Sequence, residues 1–274
     1  MKKAAHPARP TQRALALGMV ICISLGLGLG GCASQKPLYG NATDADARPK
    51  SEADPKRAAE LNAQLGLGYL QQGDRFAAAD KLQRALQDDP NSALVQHGNA
   101  ILQDSLGQSG PAQEHFRRAL EIEPNNSEVL NNYGSFLCRQ NQFSEGVSML
   151  ERALANPLYR TPGFAWANIG QCQRQQGQLN AAETSFRQAL RLDPRQSYAW
   201  LQLAAVQLEQ NRPLEASTSL QRYHALEAQN PASLLMGAKI EKALGHREAQ
   251  AHYELLLRGK FPDSDEAHSL GGLK

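Results

Sequence analysis

From about residue 58 onward, apolar and small residues recur at three- and four-residue spacings, the signature of helices with one buried face. Strand-like alternation is absent. The stripe through Gly66 and Tyr69 ends at Gly73, and a second stripe through Ala78, Leu82 and Ala85 ends at Pro90. The pattern then returns 34 residues later, with Gly107, Ala112, Phe116, Ala119 and Pro124. A third copy carries Leu130, Tyr133, Gly134, Leu137, Leu150 and Ala153. The fourth, Trp166, Gly170, Gly177, Ala182, Phe186, Ala189 and Pro194, is shifted by 36 because two residues are inserted between Pro157 and Gly163. A fifth, looser copy runs through Trp200, Ala204, Ala216 and Leu220, and the sixth, through Gly237, Gly245, Ala249 and Tyr253, is the weakest.

Each copy reads as two antiparallel helices. Small residues at the eighth and twentieth positions (Gly66 with Ala78, Gly134 with Gly146, Gly170 with Ala182) let the two helices approach closely. Gly73, Gly107, Asn141, Gly177 and Asn211 supply the turn between them, and Pro90, Pro124 and Pro194 stop the second helix. Several residue types recurring together at one period make this the tetratricopeptide pattern. The expected fold is all-α: a right-handed superhelix of about six helix-turn-helix units over residues 58–262, followed by a C-terminal tail, 263–274.

The residues before the array differ in kind. Lys2, Lys3, Arg9 and Arg13 precede an apolar run from Ala14 to Gly30, and the run ends at Leu29-Gly30-Gly31-Cys32. This reads as a signal peptide, 1–31, with a lipobox whose cysteine is acylated and becomes the first residue of the mature chain. Two or more acyl chains on Cys32 would hold the protein stably on lipid without spanning it. Ala33, where an aspartate is absent, points to the outer membrane. Residues 32–57 hold few large apolar side chains among many Asp, Lys, Arg, Pro and Ser, and read as a disordered tether reaching roughly 25 to 30 Å.

The chain has 274 residues, 41% hydrophobic and 20% charged, with a formal net charge of +2. Removing the leader takes away four basic residues and no acid, which brings the charge to −2. That balance argues against a nucleic-acid binder, which needs a basic stripe to follow a phosphate backbone. The constellations of catalysis are missing too: no H-E-x-x-H, C-x-x-C, G-x-S-x-G or P-loop lysine occurs. His97, His115, His224 and His268 are scattered singly. The reading is therefore no catalytic residue, no metal, no cofactor and no small-molecule substrate.

Once Cys22 leaves with the leader and Cys32 is acylated, Cys138 and Cys172 remain, at nearly equivalent positions of adjacent units. A bridge between them would stabilise by about 3 to 4 kcal/mol in the chain-entropy model. Helix axes about 8 to 10 Å apart set against the α-carbon limit of about 7 Å leave disulfide and paired buried thiols equally open.

Such an array works through its surface, and the concave side is lined by the first helix of each unit. Units one and two place Leu67, Leu70, Leu94 and Ile101 there, interrupted by Glu60, Ala63, His97 and Asp104. Units three and four place Asn131, Asn132, Ser135, Arg139, Asn168, Gln171 and Arg174. The aliphatic set is apolar where solvent is expected, so it is taken as the main contact for a protein partner. The polar set, Asn131, Asn168 and Gln171 above all, has the donors to hold an extended peptide.

The stretch from Asn131 to Cys138 (N-N-Y-G-S-F-L-C), Ala153 to Tyr159 (A-L-A-N-P-L-Y) and Ala165 to Cys172 (A-W-A-N-I-G-Q-C) resembles the type IV pilus biogenesis and stability lipoproteins (PilF/PilW), the pilotins. The resemblance covers the lipobox, all six units and the end Phe261-Pro262-Asp263-Ser264. It implies a protein without enzymatic activity on the periplasmic face of the outer membrane. Its partner would be the type IV pilus secretin, whose subunits it helps to reach the membrane and form a ring. Two other roles for a tetratricopeptide lipoprotein stand beside it: activation of a peptidoglycan synthase, and presentation of substrates to a periplasmic protease.

Overall fold

The computed structural model describes residues 54–273. The leader, Cys32 and most of the tether lie outside the described residues. Twelve helices form six antiparallel pairs: α1 (Pro55–Gln71) with α2 (Arg75–Asp88), α3 (Ala93–Ser105) with α4 (Ser109–Ile122), α5 (Ser127–Arg139) with α6 (Phe143–Leu154), α7 (Pro162–Gln175) with α8 (Leu179–Leu192), α9 (Ser197–Glu209) with α10 (Pro213–His224), and α11 (Pro231–Leu244) with α12 (Arg247–Lys260). The odd-numbered helices stack on one another along the array, and each even-numbered helix also packs on the next odd one. The described residues contain no strand. This is the expected all-α superhelix.

The turns show why the period is so regular. Gly73, Gly107, Asn141, Gly177, Asn211 and Gly245 all have left-handed backbone, with φ between 59° and 80°. Glycine adopts that conformation without steric cost and asparagine tolerates it better than most residues, so these six positions hold only those two types.

Both ends of the array differ from the sequence expectation. The first helix begins at Pro55, inside the expected tether, because Asp54 accepts from the Lys56 N–H at 3.1 Å and Pro55 is preset for a first helical turn. The expected C-terminal tail contains α13 (Asp265–Ser269), capped by the Ser264 hydroxyl, and then a 3-10 turn, Leu270–Leu273. Leu270 is buried against Leu234 and Leu257 of the last pair. The segment closes the C-terminal end of the core, which a linear array requires of its terminal element.

The core is continuous from pair to pair. Phe116, Tyr133 and Phe136 form an aromatic cluster between the second and third pairs, with ring centroids 5.2 to 6.2 Å apart. Cys138 and Cys172 are bridged, with α-carbons 5.4 Å apart, among Leu150, Ala165 and Ile169. The two cysteines face each other across the α5–α7 seam, so the separation of helix axes overstates the gap between their backbones.

Candidate partner-binding groove

The aliphatic set of the first two units is mostly engaged within the array. Leu67, Leu70, Leu94 and Ile101 are all half-buried. Leu70 and Leu94 pack on the cluster of Ala59, Ala63, Leu82, Val95 and Leu102, while Ile101 packs on the aromatic cluster of the next pair. Leu67 reaches over Gly98, its Cγ 3.7 Å from where a β-carbon on that glycine would sit. Each therefore packs partly on adjacent helices and keeps part of its surface open to solvent, where the expected contact with a partner would lie.

The polar set is brought together. Glu128, Asn131, Asn132 and Ser135 of α5, Asn168 and Phe164 of α7, and Tyr159 and Thr161 of the α6–α7 loop line one groove of about 410 Å³. Asn168 Nδ2 donates to Asn131 Oδ1 at 3.0 Å, and Asn131 Nδ2 donates to Asn132 Oδ1 at 3.2 Å. Asn132 Nδ2 then lies 2.9 Å from His97 Nε2 on α3. These side chains form a hydrogen-bonded ladder across α3, α5 and α7. A side-chain amide has two donor hydrogens and two acceptor lone pairs, so residues bonded once to each other still have capacity for the amides of a ligand. Gln171 is half-buried one turn further along, does not line this groove, and has a buried Oε1 without a partner.

Arginines close the ladder's far side. Arg139 donates to Ser135 at 2.9 Å and pairs with Asp104 at 2.5 Å, while Arg174 donates to Glu209 at 3.0 Å and to Gln202 at 2.9 Å. The ties to Asp104, Glu209 and Gln202 join neighbouring odd helices, and the Arg139–Ser135 bond lies within α5. Exposed pairs of this kind contribute at most about 1 kcal/mol each, so their effect is mainly to fix the side chains that border the groove.

His97 is buried, and desolvation pushes its pKa down to about 4. A ring that accepts from Asn132 at Nε2 must be neutral, with its proton on Nδ1. In an unfolded chain the same histidine titrates near 6.5, so between about 6.5 and 4 the unfolded state binds the extra proton. The stability carried by neutral His97 is complete above that window and is lost as pH falls through it. Urea midpoints measured between pH 4 and 7 should fall more steeply toward acid for the native protein than for His97→Gln. Parallel profiles would contradict the buried neutral histidine.

Phe164 and the loop residues Tyr159 and Thr161 were not among the sequence candidates. Their signal was the break in period, since the two-residue insertion is what carries this loop to the groove. Phe164 is 49% exposed, large for an aromatic side chain in the groove that holds the buried Asn131. Among the described residues, no group of His, Cys, Asp and Glu could hold a metal ion, and no helix is long and apolar enough to cross a membrane.

An array of helix pairs with a polar inner groove defines a tetratricopeptide-repeat scaffold, and tetratricopeptide-repeat models match residues 64–92, 100–126, 115–147 and 164–196. The type IV pilus assembly protein PilF of Pseudomonas aeruginosa is 31% identical over 230 residues, covering 84% of this chain and 91% of PilF. The crystal structure of PilW, described as a widely conserved type IV pilus biogenesis factor, superposes with a TM-score of 0.70 and 34% identity over 77% of this chain and 97% of PilW. A solved structure of P. aeruginosa PilF gives a TM-score of 0.66 at 30% identity, covering 80% of this chain and 99% of that one. The chain belongs to the PilF/PilW family of type IV pilus biogenesis proteins.

Proposed function

We propose that this protein is an outer-membrane lipoprotein, acylated on Cys32, that binds the type IV pilus secretin and promotes its localisation and multimerisation. The observation that carries the reading is the groove across α5 and α7, where Asn131, Asn132 and Asn168 are held in one ladder beside a half-exposed Phe164. A rigid row of amides can pair with the backbone of an extended segment, and an aromatic ring at its edge can take a side chain of that segment. Membership of a pilus biogenesis family supports a pilus component as the source of the segment. The groove's lining of amides, hydroxyls, one carboxylate and aromatic rings supports recognition of a peptide.

Two predictions separate the parts of this reading. Cys32→Ser should yield an unacylated protein that no longer fractionates with the outer membrane, and secretin multimers should fall with it, whereas helicity and melting temperature stay unchanged. A Cys32→Ser protein that still carries acyl label would overturn the anchor.

For the groove, Phe164→Ala/Asn168→Ala should weaken secretin binding at least about tenfold. One ring covered by a partner contributes about 1.5 to 3 kcal/mol, and a tenfold change corresponds to about 1.4 kcal/mol. Leu67→Ala/Leu70→Ala should instead lower the melting temperature, because those side chains pack on their neighbours. Full binding by the Phe164/Asn168 variant, together with lost binding by a well-folded leucine variant, would return the contact to the first two units.

A further inference from the structure

The first helices of four pairs are capped by a side chain: Asp54 on α1, Ser92 on α3, Asn126 on α5 and Asn230 on α11. The remaining two, α7 behind Thr161 and α9 behind Gln196, have no side-chain cap. Both uncapped starts border one pocket of about 330 Å³, lined by Arg160, Thr161, Pro162, Gly163, Phe164, Leu192, Asp193 and Gln196. It lies where the two-residue insertion breaks the repeat, and it shares Thr161 and Phe164 with the polar groove.

Three features give the pocket a chemistry. Gln196 is only 5% exposed, yet both its side-chain amide atoms are buried and without a hydrogen-bond partner. Its Oε1 lies against Gly163, 3.5 Å from where a β-carbon would sit, an ordinary contact distance. Arg160 is exposed and is absent from every ion pair and side-chain hydrogen bond among the described residues. The walls are apolar: Phe164 is 49% and Leu192 48% exposed. The one carboxylate at the pocket, Asp193, accepts from the Arg195 N–H at 2.9 Å.

We propose that this pocket binds the C-terminal residue of a partner polypeptide when that residue is apolar. A chain end of this kind presents, on one residue, the groups that the pocket leaves unmatched. Its carboxylate meets the positive end of the fourteen-residue α7 and the Arg160 guanidinium, which favour an anion together. Its N–H donates to Gln196 Oε1, while Gln196 Nε2 donates to the carboxylate. Its side chain lies between Phe164 and Leu192. The amide atoms are covered in the free chain, so binding requires the pocket's lining to shift. A buried amide with neither partner is costly to a fold, and a ligand that supplies both relieves that cost. An internal acidic residue would bring the charge but not, at the same place, the apolar side chain and the donor.

This deepens the proposed partner-binding role by assigning it a chain end, and it is tested without secretin. N-acetyl-L-leucine and N-acetyl-L-leucinamide are titrated into the ¹⁵N-labelled protein, following the Gln196 side-chain NH₂ signal, assigned by its loss in Gln196→Leu. The free acid should shift that signal with a Kd of about 1 to 10 mM, the range for a ligand of this size. The amide should bind at least about tenfold more weakly, and Arg160→Gln should cost the acid a similar factor. Gln196→Leu should melt higher than the native protein, since it removes an unpaired buried amide, and should lose the preference for acid over amide. Equal affinity for acid and amide, shifts confined to residues away from this pocket, or no shift at about 50 mM acid would each overturn the proposal. Loss of secretin binding in cells with an intact leucine titration would instead count against the pilus reading alone.

Discussion

Gly134→Ala is expected to lower the unfolding free energy by about 3 kcal/mol, at the upper end of what overpacking one methyl group costs. A β-carbon on Gly134 would stand 2.7 Å from the Gly146 carbonyl oxygen and 2.7 Å from Leu150 Cγ. The reciprocal change, Gly146→Ala, meets Cys138 Sγ at 2.6 Å and the Gly134 carbonyl at 2.8 Å. Side chains can turn away from an intruding methyl, but a carbonyl fixed in a helix cannot, so α5 and α6 would have to separate. Separation here also displaces the cystine and the asparagines that α5 presents to the groove. Gly68→Ala is the control. A β-carbon there meets nothing within 4 Å, so the substitution should stabilise by about 0.5 to 1 kcal/mol through helix propensity and a less flexible unfolded chain. Urea denaturation of the three variants checks this, and coincident midpoints for Gly134→Ala and Gly68→Ala would contradict the close approach.

The same glycines explain how much of the fold was legible in one chain. Gly66, Gly134 and Gly170 recur because helix contact excludes a side chain, and the six turn residues recur because a left-handed backbone excludes most others. Constraints repeated at each period stand out above the variable surface, so the six pairs and their turns could be read directly. What appears once is harder to read. Leu270 closes the core from a polar tail, and nothing in a single leucine after Ser264 and Asp265 announces that role. Coverage was the other loss: Leu67 and Leu94 lie on the inner stripe as the period requires, but the stripe does not say how much of each a neighbouring helix covers. The polar groove was half legible. Asn131 and Asn168 came from the stripe, whereas Tyr159, Thr161 and Phe164 came from an insertion whose path no periodicity dictates.

Reducing the Cys138–Cys172 bridge, or replacing both residues by serine, is expected to cost about 3 to 4 kcal/mol, the entropy of leaving a 34-residue loop unclosed in the unfolded chain. The loss should be concentrated rather than shared, because each pair of a linear array is held only by its neighbours. The bridge crosses the α5–α7 seam, which the Asn168–Asn131 hydrogen bond also crosses, and that bond alone contributes only about 1 kcal/mol. Without the bridge the seam rests on buried Leu150, Ala165 and Ile169, so α5 through α8 should exchange amide hydrogens faster than α1 through α4. The ladder joins helices on both sides of that seam, so partner binding should weaken along with stability. Denaturant unfolding and hydrogen exchange, each with and without reductant, test this. Coincident oxidised and reduced unfolding curves would show that packing alone closes the seam, and uniformly faster exchange along the chain would show that the array unfolds as one unit.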